Sequence, residues 1–216
     1  MPPGVALYST RILARGDLTP DAVRKMEENV DRAVDELAAT GVDVIAYCDM
    51  VTTFIMEQGW NEAKVADIEE RSQTPAVSAW TALRDAMKVL DIKRFTLGTP
   101  YPAAIHALAP PFFKAHGFEV VSDSTLDILK MRDVPNVAPQ QIRDFVAQID
   151  LKNAEAIVLL ATDLPCFGVI AELEKEFALP VLTSNQTILW SAMRVASKSH
   201  GTPTVTIAEL GKLFNV

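Results

Sequence analysis

Two stretches of this chain share one build. Asp43-Val-Ile-Ala-Tyr-Cys-Asp-Met-Val-Thr-Thr-Phe54 runs from an apolar, strand-like segment straight into a polar loop, and Glu155-Ala-Ile-Val-Leu-Leu-Ala-Thr-Asp-Leu-Pro-Cys166 does the same. Each follows an amphipathic helical pattern. The repeat runs on: Asp43–Asp49 matches Glu155–Ala161 in pattern without gaps, and Thr74-Pro-Ala-Val-Ser-Ala-Trp80 matches Leu179-Pro-Val-Leu-Thr-Ser-Asn185, each leading into a helix. A chain that makes the same strand–loop–helix unit twice is constrained to two similar halves with a cleft between them. Strands alternate with helices throughout, which calls for parallel sheets covered on both faces. The expected fold class is α/β, with two pseudo-symmetric lobes, each a mostly parallel sheet flanked by helices. The first lobe is expected to hold residues 1–90 plus 191–216, and the second residues 91–190.

The local signals place the elements. Val5–Leu13 reads as a strand by its β-branched and apolar content. Thr19 is an N-cap with Pro20 at the first helical position, and Val23, Met26, Val30, Ala33, Val34 and Leu37 recur at helical spacing up to a stop at Thr40-Gly41. Further helices are expected over Glu62–Ser72, Ala79–Leu90, Ala103–His116 with an interruption at Pro110-Pro111, Gln140–Ile149, Asn185–His200 and, finally, Thr204–Phe214. Arg94–Gly98, Phe118–Val121 and Pro180–Thr183 read as strands. In such sheets ligands sit at the carboxyl ends of the strands, where Asp49–Thr53, Thr99–Tyr101, Thr162–Cys166 and Thr183–Gln186 fall.

Charge and composition narrow the function. A net charge of −8 over 216 residues argues against a nucleic-acid surface, which needs a basic patch. No apolar run reaches the ~18 residues of a spanning helix, and Met-Pro-Pro-Gly-Val lacks the pattern of a secretory leader. Two distant cysteines make no disulfide framework, so a reduced cytoplasmic setting is expected. Neither nucleic acid nor membrane is expected as a partner, and association between copies of the chain is expected.

Cys48 and Cys166 lie in or beside the two strand-end loops. They are either a pair of thiols facing a substrate from two sides or two small core residues. Asp49 and Asp163 follow apolar runs, where a buried carboxylate with a raised pKa serves as a general base, or else tightens a turn. Thr52, Thr53, Thr99, Tyr101, Thr162, Ser184 and Asn185 are candidate hydrogen-bond donors to a carboxylate, and equally candidate caps. His106, His116 and His200 have no spacing for a metal and read as solvated or capping residues. No phosphate loop or dinucleotide fingerprint is present.

Asp43-Val-Ile-Ala-Tyr47, Thr99-Pro-Tyr101 before a helix, Ala115-His-Gly-Phe-Glu-Val-Val121, and Leu179-Pro-Val-Leu-Thr-Ser-Asn-Gln186 with Trp190 resemble the maleate cis-trans isomerase and arylmalonate decarboxylase branch of the aspartate/glutamate racemase superfamily. The resemblance covers nearly the whole chain. It implies two pseudo-symmetric α/β lobes and chemistry without metal or organic cofactor. It also implies a first strand with a Ser-Asn-Thr loop ahead of Val5, which this sequence does not contain. If such a strand belongs to the native protein, its lack is expected to expose a sheet edge and drive association. Isomerases and racemases of the family carry one cysteine per lobe at the strand-end loops, and the decarboxylases keep only the second. Carried over without gaps, the first position falls on Asp49 and the second on Ala161. A shifted register puts Cys48 or Val51 at the first position, with Thr52-Thr53 as the carboxylate-binding pair. A family asparagine between the lobes corresponds to Thr125. Tyr101 and the Ser184-Asn185-Gln186 turn match best.

The resemblance therefore implies an enzyme acting on a small mono- or dicarboxylate, maleate isomerase-like. Asp49, Cys48 and Tyr101 are its candidate catalytic residues. Thr52, Thr53, Thr99, Thr125, Thr162, Asp163, Ser184 and Asn185 are candidates for the substrate. A decarboxylase, or a catalytically silent carboxylate-binding relative, is the alternative.

Overall fold

A computed structural model describes residues 2–216; Met1, the first residue of the expected first lobe, lies outside them. Thr19 caps α1 (Pro20–Met26) by accepting the Ala22 N–H at 3.2 Å. The periodic run does not stay one helix. A 3-10 turn at Glu27–Asn29 separates α1 from α2 (Val30–Ala38), and the Glu27 carboxylate there accepts the Tyr47 hydroxyl. Then follow β1 (Ile45–Tyr47), α3 (Thr52–Ile55), α4 (Trp60–Ser72), β2 (Ala76–Ser78), α5 (Ala79–Val89) and β3 (Arg94–Thr99). The helix expected over Ala103–His116 is two, α6 (Ala103–His106) and α7 (Ala109–Ala115). The break precedes the prolines, which sit in the first turn of α7 where a missing N–H breaks no intrahelical bond. The remaining elements are β4 (Glu119–Thr125), α8 (Pro139–Ala147), β5 (Ala156–Leu159), α9 (Ile170–Phe177), β6 (Val181–Thr183) and α10 (Ser184–His200). The final helix expected over Thr204–Phe214 is instead two 3-10 turns, Ala208–Leu210 and Lys212–Asn215.

Val5–Leu13 forms no strand. Its composition suits one, but a strand exists only through a ladder, and no described residue pairs with it.

Both sheets are parallel. β1 pairs with β2, and the second sheet runs β4-β3-β5-β6. β3 and β5 are buried along nearly their whole length, which explains their continuous apolar runs. The main core joins Trp80, Phe95, Leu97, Phe113, Ile157 and Leu159; a smaller cluster holds Val30, Val34, Ile45, Tyr47, Ile68 and Ala76. Each Val, Leu, Ile or Phe among them contributes about 1.5–3 kcal/mol by leaving water. α5 and α10 pack against each other and join the two sheets.

The repeat is carried in atomic detail. Ile45 N donates to Pro75 O and Ile157 N to Pro180 O, both at 2.9 Å. Glu69, seven residues ahead of Ala76, accepts its N–H at 2.9 Å; Glu174, seven ahead of Val181, accepts its N–H at 3.0 Å. Gln73 and Ala178 end α4 and α9 in the left-handed region. Ser78 and Thr183 cap α5 and α10 with matching capping boxes. The halves also touch at an antiparallel bridge, Asp17 to Lys130, where Leu18 N donates to Leu129 O at 2.8 Å.

Candidate functional site

Three strand ends converge on one cavity of about 70 Å³. β1 delivers Asp49, β3 delivers Tyr101, and β5 delivers Ala161, Thr162 and Asp163 to its wall, with Met131 and Val134 closing it from outside. The sequence placed polar groups at these ends; the structure selects which of them share a space.

Asp49 is buried, and its Oδ1 accepts the Thr52 N–H at 3.1 Å, holding the first turn of α3. Burial pushes its carboxyl up to about 6; the Thr52 N–H pulls it back, and the Glu27 carboxylate pushes it further. Tyr101 is buried beside it, edge-on to Phe54 at 6.4 Å between ring centres. Burial, then the charges of Asp49 and Asp163, hold its phenol well above the ordinary range, so it stays a neutral donor. Among the described residues its hydroxyl has no hydrogen-bond partner. No Lys or Arg lines the cavity, so an anion there must be met by hydroxyls, N–H groups or a protonated Asp49.

The other candidates take different places. Thr162 lines the cavity, and its hydroxyl donates to Cys48 O at 3.1 Å, tying the two strand-end loops together. Asn185 donates to Thr162 O at 2.7 Å and holds that loop from α10. Thr52 serves Asp49, and Thr53 donates to Asn61 Oδ1 at 3.3 Å, turned from the cavity. Thr125 donates to the Tyr101 carbonyl, which fixes the Thr-Pro-Tyr turn. Thr99 lies under that turn, accepting the Tyr101 N–H at 3.3 Å. Ser184 is buried with its hydroxyl unpartnered, outside the cavity wall.

Neither thiol lines the cavity. Cys48 is exposed, with its sulfur turned back to Ala46 O at 3.4 Å. Desolvation and then the Asp49 charge push it up to about 11. Cys166 is buried in the main core, and burial pushes it up to about 12. Both thiols are therefore held in the protonated form. Ala161, the counterpart of Asp49 in the repeat, has φ +91°, a conformation an alanine holds only under strain.

Sequence reasoning missed His106 and Glu27. His106 is neither solvated nor a cap: it is buried, with Nδ1 2.8 Å from Thr99 Oγ1 and Nε2 2.8 Å from Asp123 Oδ1. Asp123 takes the Nε2 proton, so Nδ1 accepts from Thr99, and the chain braces the loop bearing Tyr101. Glu27 takes the Tyr47 hydroxyl and lies 3.4 Å from Lys64 Nζ, behind Asp49. Its signal in sequence, an acidic residue in a helical run, is no different from a solvated one. The described residues hold no cluster of metal-ligating type, and no helix among them is long and apolar enough to cross a membrane.

The sequence profile of the arylmalonate decarboxylase family matches residues 2–209. The chain is 27% identical to a maleate isomerase of Geobacillus stearothermophilus over 183 residues, 82% of this chain and 73% of that protein. It is 22% identical to the arylmalonate decarboxylase of Bordetella bronchiseptica over 189 residues, 85% of this chain and 78% of that one. The fold superposes on a Nocardia farcinica maleate cis-trans isomerase mutant holding a covalently bound succinylcysteine intermediate, with TM-score 0.90, 24% identity, and coverage of 98% of this chain and 87% of that one.

Proposed function

This chain belongs to the arylmalonate decarboxylase family, and from that premise we propose that it is a cofactor-independent, maleate isomerase-like enzyme acting on a small mono- or dicarboxylate by isomerisation or racemisation. The observation that carries the reading is the buried Asp49 carboxyl, pushed up to about 6, beside a neutral Tyr101 phenol in a cavity at the strand ends. The maleate isomerase relative, at 27% identity, supports the substrate class.

In this reading the Tyr101 hydroxyl donates to one carboxylate of the substrate at the wall that Thr162 lines, and Thr162, Asn185 and the remaining threonines keep the loops in place. Near neutral pH Asp49 is available in both protonation states. Ionised, its oxygen bonds to one alkene carbon while the π pair moves onto the far carboxylate. Rotation about the resulting single bond and loss of Asp49 return the trans alkene, with no net proton uptake. Tyr101 donates to the oxygen on which charge gathers. For racemisation Asp49 takes the proton α to a carboxylate, and Asp163, which also lines the cavity, is the second carboxyl available to the substrate. The cleft lies between a first lobe of residues 1–90 plus 191–216 and a second of residues 91–190. The protein acts in the cytoplasm as a homo-oligomer.

Because neither thiol lines the cavity, a second reading stands: decarboxylation of an arylmalonate-type substrate, or carboxylate binding without turnover. Purified protein is incubated with maleate, an arylmalonate and aspartate in D₂O and followed by proton NMR. Fumarate formation or deuterium incorporation that Asp49→Ala abolishes supports the isomerase or racemase. Release of carbon dioxide supports the decarboxylase, and saturable binding of all three without exchange supports the silent relative.

A further inference from the structure

Trp190, Arg194 and Lys198 follow one another at intervals of four along α10, which puts them on one face of that helix. On this face α10 and α5, which supplies Asp85 and Val89, bound a second cavity of about 480 Å³. Gly201 turns the chain back in the left-handed region and Thr202 N donates to Ser197 O at 2.9 Å, so Thr202 and Thr204 also line it. The volume falls within the roughly 300–1,000 Å³ of small-molecule sites. This cavity shares no wall residue with the one that holds Asp49 and Tyr101.

Several polar groups of its wall are unmet by the protein. The Arg194 guanidinium lies over the Trp190 ring, 4.8 Å from the ring centre, which holds the head group in place. Its N–H groups make no hydrogen bond among the described residues, and neither Arg194 nor Lys198 enters an ion pair there. Ser191 is buried, and its hydroxyl has no hydrogen-bond partner among the described residues. The Trp190 Nε1–H is buried without an acceptor, which is uncommon for an interior donor. Asp85, the acid of this wall, is already held by Arg84 Nε at 3.0 Å. Two cations against one paired carboxylate leave the wall net positive, on a chain whose net charge is −8.

We propose that this cavity binds a small organic monocarboxylate with an apolar body, its carboxylate held by Arg194 and Lys198 and its body lying along Val89 and Val195. A guanidinium presents paired N–H groups that match the two oxygens of a carboxylate, and its stacking on Trp190 holds it ready for one. Lys198, one turn further along α10, adds a second charge. Val89 is 46% exposed and Val195 half-buried, so both have apolar surface left to remove from water. Asp85 faces the same space from α5 and repels a second negative charge, which selects a monoanion over a dicarboxylate or phosphate. The site is separate from the strand-end cavity and stands independently of the activity proposed above.

The Trp190 indole N–H resonance, assigned by its loss in Trp190→Phe, reports occupancy in a nitrogen-15 NMR titration. Three six-carbon probes separate the features of the site: hexanoate, adipate with a second carboxylate, and 1-hexanol with none. Hexanoate is expected to move the resonance saturably at millimolar concentration, with adipate and 1-hexanol weaker by about tenfold or more. Arg194→Ala and Lys198→Ala each weaken hexanoate by roughly tenfold, and added salt weakens it further. Both side chains are exposed, so the circular dichroism of these variants matches the parent. Asp49→Ala and Tyr101→Phe leave the titration unchanged, which keeps the result apart from the strand-end cavity. Absence of a saturable shift overturns the proposal. So does 1-hexanol or adipate binding as tightly as hexanoate, or affinity retained in folded Arg194→Ala.

Discussion

Asp49 and Ala161 hold the same place in the two halves of the fold. Each lies two residues beyond the end of its strand, β1 or β5, and both face the same cavity. One position supplies a buried carboxyl, and the other a methyl group on a left-handed backbone. The pseudo-symmetry of the scaffold is thus broken at its centre, and the chemistry must be one-sided or draw on Asp163 from the loop beyond Ala161.

The burial of Asp49 has a pH signature in stability. Its carboxyl ordinarily titrates near 3.8 and stands at about 6 in the fold. A raised carboxyl binds its proton more tightly folded than unfolded. Stability is therefore highest below about 4 and falls as pH rises through 6. The full difference is about 3 kcal/mol, at ~1.4 kcal/mol per unit. Asp49→Asn, which keeps an oxygen for the Thr52 N–H, is expected to raise the urea midpoint at pH 8 and to match the parent near pH 4.

Glu155 titrates in the opposite sense. Its carboxylate accepts Lys93 N at 2.8 Å and Arg94 N at 2.9 Å, and these bonds, with the Arg94 side chain, hold it at about 2. Its contribution is present above its ordinary 4.5 and is lost as pH falls toward 2. The group is a third exposed, so solvent limits its size. Glu155→Gln is expected to lower the urea midpoint modestly at pH 7, with the gap narrowing below about pH 4.5 and closing toward pH 2 as the parent loses its charge.

Tyr101 offers its hydroxyl to the cavity with no described partner, while its ring packs on Phe54. Tyr101→Phe is expected to leave the melting temperature nearly unchanged. Turnover falls by about 10²-fold, the usual cost of losing one donor to a developing oxyanion. Steady-state rates on the substrate found by NMR, beside a thermal melt, separate the two effects.

Ala161 at φ +91° has room to gain. Glycine reaches that region without the Cβ clash, so Ala161→Gly is expected to stabilise the fold by up to about 1 kcal/mol, less the entropy a glycine adds to the unfolded chain. Denaturant unfolding measures it; a loss of stability would mean that the methyl's packing outweighs the strain.

Much of this protein is written locally. The N-caps at Thr19, Ser78 and Thr183 and the helical and strand periods depend on residues close in sequence. The gapless match of Asp43–Asp49 to Glu155–Ala161 and the shared Pro75 and Pro180 registers are legible for the same reason. They place Asp49, Tyr101 and Thr162 at strand ends before any coordinates are known. Tertiary structure decided the rest. Side chains at neighbouring positions can point apart, which is why Cys48 turns back along its strand while Asp49 enters the cavity. His106 and Glu27 owe their roles to partners 17 and 20 residues away. Val5–Leu13 has the composition of a strand and no strand, because propensity belongs to a segment and a ladder needs a second one.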